Sequence, residues 1–531
     1  MSLTSFPFLI FAAVTVLLYY LVPKRGQWMV LLTASTLFYA AAGGWYLPII
    51  LTTILSTFVL ARVMENRATA DEDYIAAHKA DMTKEERKAY KAAGKKKRFR
   101  ILAGGLVLNF GILAVLKYTG FTVTIVNDVL RLFRADTLAV PSLILPLGIS
   151  FYTFRSTAYL IDVYRGKAEA AKNLGKYALF ISFFPAVMQG PICRYNDLAV
   201  QFDTPHKAEW DHLSAGLLRM LWGICKKVVV ADTLMVAVKT IVGDPEAFGG
   251  MYVLLLIILY SAVIYGDFTG GIDITIGLSR MLGLKLAENF VRPFSSRSTA
   301  EYWNRWHITM GSWFTDYVFY PLSICPSMQR LTKWSRAHLG KAIGMRFPVY
   351  LATLITWFLT GLWHGASWNF IVWGLLNGVI ILISRELEPL YGRFRKRFPR
   401  LTASSFYGSF SCVRTFFLMG AVRILDCYRD VPVTAKAFAS MFYDFSHWGD
   451  LLDGSVMDKL KLTLPVWILV GLATVLIFFV SRAGKETPVA DRLSRRPILW
   501  TLACLGLAVT VLIFGSYGIG FDAGAFIYGQ F

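Results

Sequence analysis

Trp357-Phe-Leu-Thr-Gly-Leu-Trp-His-Gly-Ala-Ser-Trp-Asn-Phe-Ile-Val-Trp-Gly-Leu-Leu-Asn377 is apolar and aromatic enough to sit in a bilayer, yet its centre carries His364, Ser367 and Asn369 beside Gly361 and Gly365. An imidazole and a carboxamide at membrane depth cost free energy unless they are paired or wetted, so such groups face a cavity and mark function. The glycines let backbones or a substrate come close and make a helix break cheap. A polar, breakable, histidine-bearing segment in an apolar chain predicts a site.

The rest of the chain agrees with a membrane setting. Of 531 residues, 56% are hydrophobic and 15% aromatic, and apolar runs near the roughly 20 residues needed to cross a bilayer recur along it. The reading is an all-α polytopic membrane protein, a single domain over 1–531. The net charge of +21 does not call for nucleic acid, because Lys and Arg in a membrane protein gather in cytoplasmic loops and set orientation. Six scattered cysteines show no metal-ligand spacing, so no metal is expected. Phe6–Val22 has no preceding Lys or Arg and reads as a permanent first span.

Charge then fixes a topology. Trp28–Ala42 and Tyr46–Met64 are the next expected spans. Residues 65–100 read as a helix-prone, basic cytoplasmic loop closing on Gly94-Lys-Lys-Lys-Arg-Phe-Arg100, either a plain solvated loop or a dock for anionic headgroups or a carrier. Ile101–Thr119 crosses, Phe121–Phe133 lies at the interface, and Ser142–Ile161 crosses despite Pro146 and Gly148. Phe183-Phe-Pro-Ala-Val-Met-Gln-Gly-Pro191 cannot continue a helix and is a re-entrant segment. Leu213–Val242 is a partly interfacial helix, and Met251–Tyr265 crosses ahead of a glycine pair flanked by Asp267 and Asp273. Those carboxylates are expected to pair with Arg280 or Arg292. Trp303, Trp306, His307, Met310 and Trp313 share one face if the segment is a continuous helix. Pro348–Trp363, Ser367–Ser384, Phe410–Leu425, Leu464–Val480 and Ile498–Phe514 complete about ten to fourteen spans. Both termini fall outside the cytoplasm. No internal repeat of the kind many secondary transporters carry is visible.

Five motifs in order resemble the membrane-bound O-acyltransferase (MBOAT) family, in its bacterial branch of alginate O-acetylation and teichoic acid D-alanylation proteins. They are Phe183-Phe-Pro…Gly-Pro-Ile192, Arg292-Pro-Phe-Ser-Ser-Arg-Ser298, Glu301-Tyr-Trp-Asn-Arg-Trp-His-Ile-Thr309, Trp313-Phe-Thr-Asp-Tyr-Val-Phe-Tyr-Pro-Leu322 and Gly361-Leu-Trp-His-Gly-Ala-Ser-Trp-Asn-Phe370. The aromatic end Phe521–Phe531 is a further landmark. The motif core covers 180–380, and 385–531 supplies the C-terminal spans. Gly271, Gly529 and Ala186-Val-Met-Gln189 depart from the branch's usual pattern.

The resemblance implies a helical bundle with re-entrant and interfacial helices around a tunnel. It implies that His364 is the catalytic histidine and His307 the second, with Asn369, Trp363, Trp306, Asp316 and Arg305 in supporting or tunnel-lining roles. The implied reaction moves an acyl group, most simply acetyl, from a cytoplasmic thioester toward hydroxyls of an extracytoplasmic polysaccharide. An imidazole titrating near neutrality suits the base that such a transfer needs. No tightly bound cofactor is implied, only an acyl thioester co-substrate (acetyl-CoA or an acyl-carrier protein). Implied partners are an extracytoplasmic lipase-like acyltransferase or acceptor-side protein, a cytoplasmic acyl carrier, membrane lipids and the glycan. The implied location is the bacterial plasma membrane. D-alanyl transfer to teichoic acids, a non-catalytic transporter or flippase, and a secretion scaffold are the alternative readings.

Overall fold

The computed structural model describes residues 2–484 and 488–516. The described residues are 79% helical and form no strand beyond an isolated bridge between Phe290 and Trp306. Among the described residues, seven helices are long and apolar enough to cross a membrane: Gly44–Ala77, Lys84–Leu132, Met251–Met281, Gly340–His364, Trp368–Glu386, Leu464–Ala483 and Pro497–Phe514. The protein is an all-α, multi-pass membrane protein. Phe6–Leu21 is a shorter apolar helix, capped by Ser5 on the Phe8 amide with Pro7 in its first turn. Phe521–Phe531 lies outside the described residues.

The chain divides into two compact units. The first comprises Ser5–Glu209 with Ser279–Leu286. In it, residues 65–100 are not a loop. The third helix runs to Ala77, and a 49-residue helix, Lys84–Leu132, starts at a reciprocal Thr83/Glu86 cap and carries Phe121–Phe133 straight through. Ser142–Ile161 is helical only from Ile149, because Gly148 takes φ +68°, and a Cβ there would lie 2.2 Å from the Val187 carbonyl. The expected interruption at Phe183 is present, between helices Leu174–Ser182 and Phe184–Val187. Arg155, fully buried, donates to the carbonyls of Ile181 and Ala186 on either side of that break.

The second unit comprises Ser2–Thr4, Trp210–Leu278 and the chain from Ala287 on. Trp210–Cys225 opens into a wider π-helical stretch at Lys226–Ala231 before Asp232–Gly243. The Met251–Met281 helix continues through the glycine pair instead of ending before it. The reason is packing: a Cβ on Gly270 would sit 2.7 Å from the Gly223 carbonyl, and one on Gly277 2.6 Å from that of Gly216. Small residues at this spacing let two helices touch backbone to backbone, as membrane helices often do. Where they touch, Asp267 pairs with Lys227 at 2.6 Å, and Asp273 with Lys226 at 2.6 Å and Arg219 at 2.9 Å. The carboxylates are thus held in ion pairs, with cations supplied by the neighbouring helix.

Candidate active site

The opening stretch folds as a helical hairpin. The Gly340–His364 helix ends on the histidine, Gly365 turns extended at φ −166°, and Trp368–Glu386 begins after Ser367. A Cβ on Gly361 would meet the Phe370 carbonyl at 2.3 Å, and one on Gly374 the Trp357 carbonyl at 2.4 Å. Two glycines therefore bring the arms into backbone contact, and the chain reverses without leaving the packed interior. His364 sits at the reversal, 5% exposed.

Aromatic rings enclose it. Trp373 stands edge-on 4.7 Å from the imidazole, Trp363 5.0 Å away, and Phe370 stacks at 6.5 Å. Between them lies a cavity of about 20 Å³, lined by Ile264, Trp306, His364, Phe370, Trp373, Arg423 and Asp426. A water needs about 10–15 Å³ and two or more polar partners, so the space fits one.

Arg423 and Asp426 were not singled out in the sequence. They lie one turn apart on the Ser405–Tyr428 helix and so share a face. The Arg423 guanidinium lies 4.2 Å over the Trp306 ring and donates to the Tyr302 hydroxyl. Asp426 Oδ2 accepts from the Tyr260 hydroxyl at 2.8 Å, while Oδ1 is buried without a hydrogen bond among the described residues. An imidazole, a guanidinium and a carboxylate thus converge on one small polar void inside apolar walls. The signal was present: an Arg and an Asp three residues apart in a helix of membrane length are intramembrane ionisable groups. Ending the expected span at Leu425 left Asp426 just outside it.

His307 is held differently from the sequence expectation. The aromatic face is not on one helix: Thr299–Trp303 stops, and His307 takes φ +49° as the residue before Ile308–Phe314. Histidine is among the few residues seen at positive φ with any frequency. Its Nδ1 is 3.3 Å from Asn289 Oδ1, which also accepts from the Thr309 amide and hydroxyl at 3.0 Å each. The Thr309 amide can only donate, so that Asn289 atom is the oxygen and His307 Nδ1 carries a proton toward it. In the neutral ring, Nε2 then bears the lone pair. Phe268 packs edge-on at 4.8 Å, and Trp363 lies 6.1 Å away. Trp363 therefore stands between the two histidines.

Trp306, Trp363, His307 and His364 come together in this way. Asn369 turns elsewhere, accepting from Ser367 at 2.6 Å and donating to the Leu425 carbonyl at 3.1 Å, which ties the hairpin to the helix bearing Asp426. Arg305 pairs with Glu301 at 2.6 Å, one turn before it. Asp316 is half-buried in the π-helical stretch Thr315–Phe319. Neither lines the cavity. Among the described residues, no cluster of three or more His, Cys, Asp or Glu could hold a metal.

Comparison with known proteins follows the same residues. The model of the membrane-bound O-acyltransferase family matches 171–419. The chain is 36% identical over 291 residues to the probable alginate O-acetylase AlgI of Azotobacter vinelandii, a match spanning 54% of each chain. With the probable alginate O-acetylase AlgI of Pseudomonas aeruginosa it shares 32% over 396 residues, 74% of this chain and 69% of that one. With the teichoic acid D-alanyltransferase of Bacillus subtilis it shares 26% over 279 residues, 51% and 65% of the two chains.

Proposed function

This chain belongs to the membrane-bound O-acyltransferase family, and we propose that within it the protein moves an acetyl group from a cytoplasmic thioester toward hydroxyls of an extracytoplasmic polysaccharide. The observation that carries this reading is His364 at a helix reversal, sharing a water-sized void with Arg423 and Asp426. Acetyl is preferred over D-alanyl because the alginate O-acetylase relatives are 32–36% identical and the D-alanyltransferase 26%.

The chemistry is acyl transfer. His364 accepts the proton of the attacking hydroxyl as its oxygen bonds to the thioester carbonyl carbon; the C–S bond then breaks, and the thiolate takes the proton back from the imidazolium. Asp426 lines the same void, and its carboxylate stabilises the positive charge that His364 gains. Arg423, held over Trp306 and bonded to Tyr302, adds a fixed positive charge to the lining of the same void. Dry aromatic walls keep bulk water from the thioester. General-base catalysis of this kind contributes roughly 10²–10⁴ in rate.

The thioester is acetyl-CoA or an acyl-carrier protein, and the acceptor-side partner is an extracytoplasmic lipase-like acyltransferase. Basic runs such as Gly94–Arg100 and Arg393–Arg397 support a cytoplasmic side for those segments in a plasma-membrane protein. The test is thioester consumption by the purified protein with its partner in proteoliposomes. Wild type consumes acetyl thioester and His364→Ala does not. Equal consumption by both removes His364 from the reaction, and glycan transfer with an intact thioester would mark a transporter.

A further inference from the structure

A second, larger cavity lies in the same unit and takes no part in the chemistry above. Its volume is about 720 Å³, within the roughly 300–1,000 Å³ of small-molecule sites. Four helix faces wall it. Ala503, Gly506, Leu507 and Thr510 form one, at the three- and four-residue spacing of a single helical stripe. Leu476, Val480 and Gly484 form the second. Arg219, Trp222 and Lys226 form the third, and Thr269 with Asp273 the fourth.

The lining has two characters. Leu476, Val480 and Leu507 belong to the Leu464–Ala483 and Pro497–Phe514 helices, whose apolar windows are only 11% and 0% buried within the protein, so these helices face lipid. The opposite wall is charged. Arg219 bridges Asp273 at 2.9 Å and Glu288 at 2.6 Å, and Lys226 holds Asp273 at 2.6 Å. Two cations and two carboxylates cancel. The fifth charged residue of the lining, Arg292, has no ion-pair partner among the described residues. Its backbone takes φ +48°, a strained conformation for a side-chain-bearing residue and one that accumulates where ligands are held. The cavity therefore carries a net charge of about +1 at one wall and hydrocarbon at another.

We propose that this cavity binds one anionic phospholipid, its phosphate on Arg292 and an acyl chain along Leu476, Val480 and Leu507. The lipid-facing walls favour a bilayer lipid over a soluble anion. Charge in the connecting segment agrees: Arg482, Arg492, Arg495 and Arg496 lie in sequence between or at the ends of its two apolar helices, with Asp491 the one acidic residue described there. Basic clusters of this kind draw anionic headgroups.

Gly506 offers a clean probe, because a Cβ there meets nothing within 4 Å and Gly→Leu raises helix propensity. The experiment is native mass spectrometry of the full-length protein, delipidated and then supplied with phosphatidylglycerol or with phosphatidylethanolamine. Wild type retains one phosphatidylglycerol and little phosphatidylethanolamine. Gly506→Leu fills the chain channel and Arg292→Gln removes the charge, each lowering occupancy about tenfold at unchanged melting temperature. His364→Ala retains the lipid like wild type, so the result stands apart from the fate of the acyl-transfer reading. Equal retention of both lipids, no lipid on wild type, wild-type binding by both cavity variants, or an acyl thioester held in place of the lipid would each overturn the proposal.

Discussion

Asp426 carries a different burden from His364: it need never touch substrate, only the positive charge that the imidazole acquires. Asp426→Asn keeps the shape and the Tyr260 contact but removes that charge. The expected result is a fall in kcat on the order of a hundredfold with little change in KM, and a shifted pH profile that a merely structural role would not produce. His307 separates shape from chemistry. Asn tolerates positive φ, so His307→Asn should accumulate normally and lose activity. Ile does not, and His307→Ile should lower the yield of folded protein through a backbone penalty of about 1–2 kcal/mol. The histidines were legible because ionisable rings among apolar neighbours stand out. The positive φ of His307 was not, because the aromatic spacing around it mimics a helix and Asn289, which rewards the break, lies 18 residues away.

At the scale of elements, the hairpin depends on the contact at Gly361 and Gly374. A side chain at either would drive into a backbone carbonyl that cannot rotate away, so Gly361→Leu should cost about 1–3 kcal/mol. Gly392→Ala, with nothing within 4 Å, should be neutral in the same detergent melting assay. Glycine has two meanings here, break and close approach. The sequence showed the first at Gly365; the second appears at Gly270, which packs two helices together. Another element answers to pH. Asp450 accepts from Lys459 at 2.7 Å and from Tyr252 at 2.8 Å, contacts that pull its carboxyl down to about 2, with Lys459 the larger cause. A depressed carboxylate contributes stability above its ordinary value near 3.8 and loses it as pH falls toward 2. Proteolytic nicking of the Gly449–Lys459 segment should therefore rise in wild type between about pH 4 and 2. In Asp450→Asn it should already be elevated at neutrality and change little with acid.

For the whole molecule, composition alone announced a helical membrane protein, since no soluble domain is so apolar. Helix ends were less legible. Lys84–Leu132 passes from polar to apolar without a cap or breaker, so hydropathy marks where its environment changes, not where the helix starts. Orientation rests on the basic segments. A cysteine placed at Lys79, in the turn between the third helix and Lys84–Leu132, should react with a membrane-impermeant maleimide only after the cells are opened. The most direct test of acyl transfer by His364 is the O-acetyl content of the cell-surface polysaccharide in cells expressing wild type or His364→Ala at matched membrane levels. Loss of O-acetyl groups in the variant is the predicted result, and wild-type acetylation would contradict it.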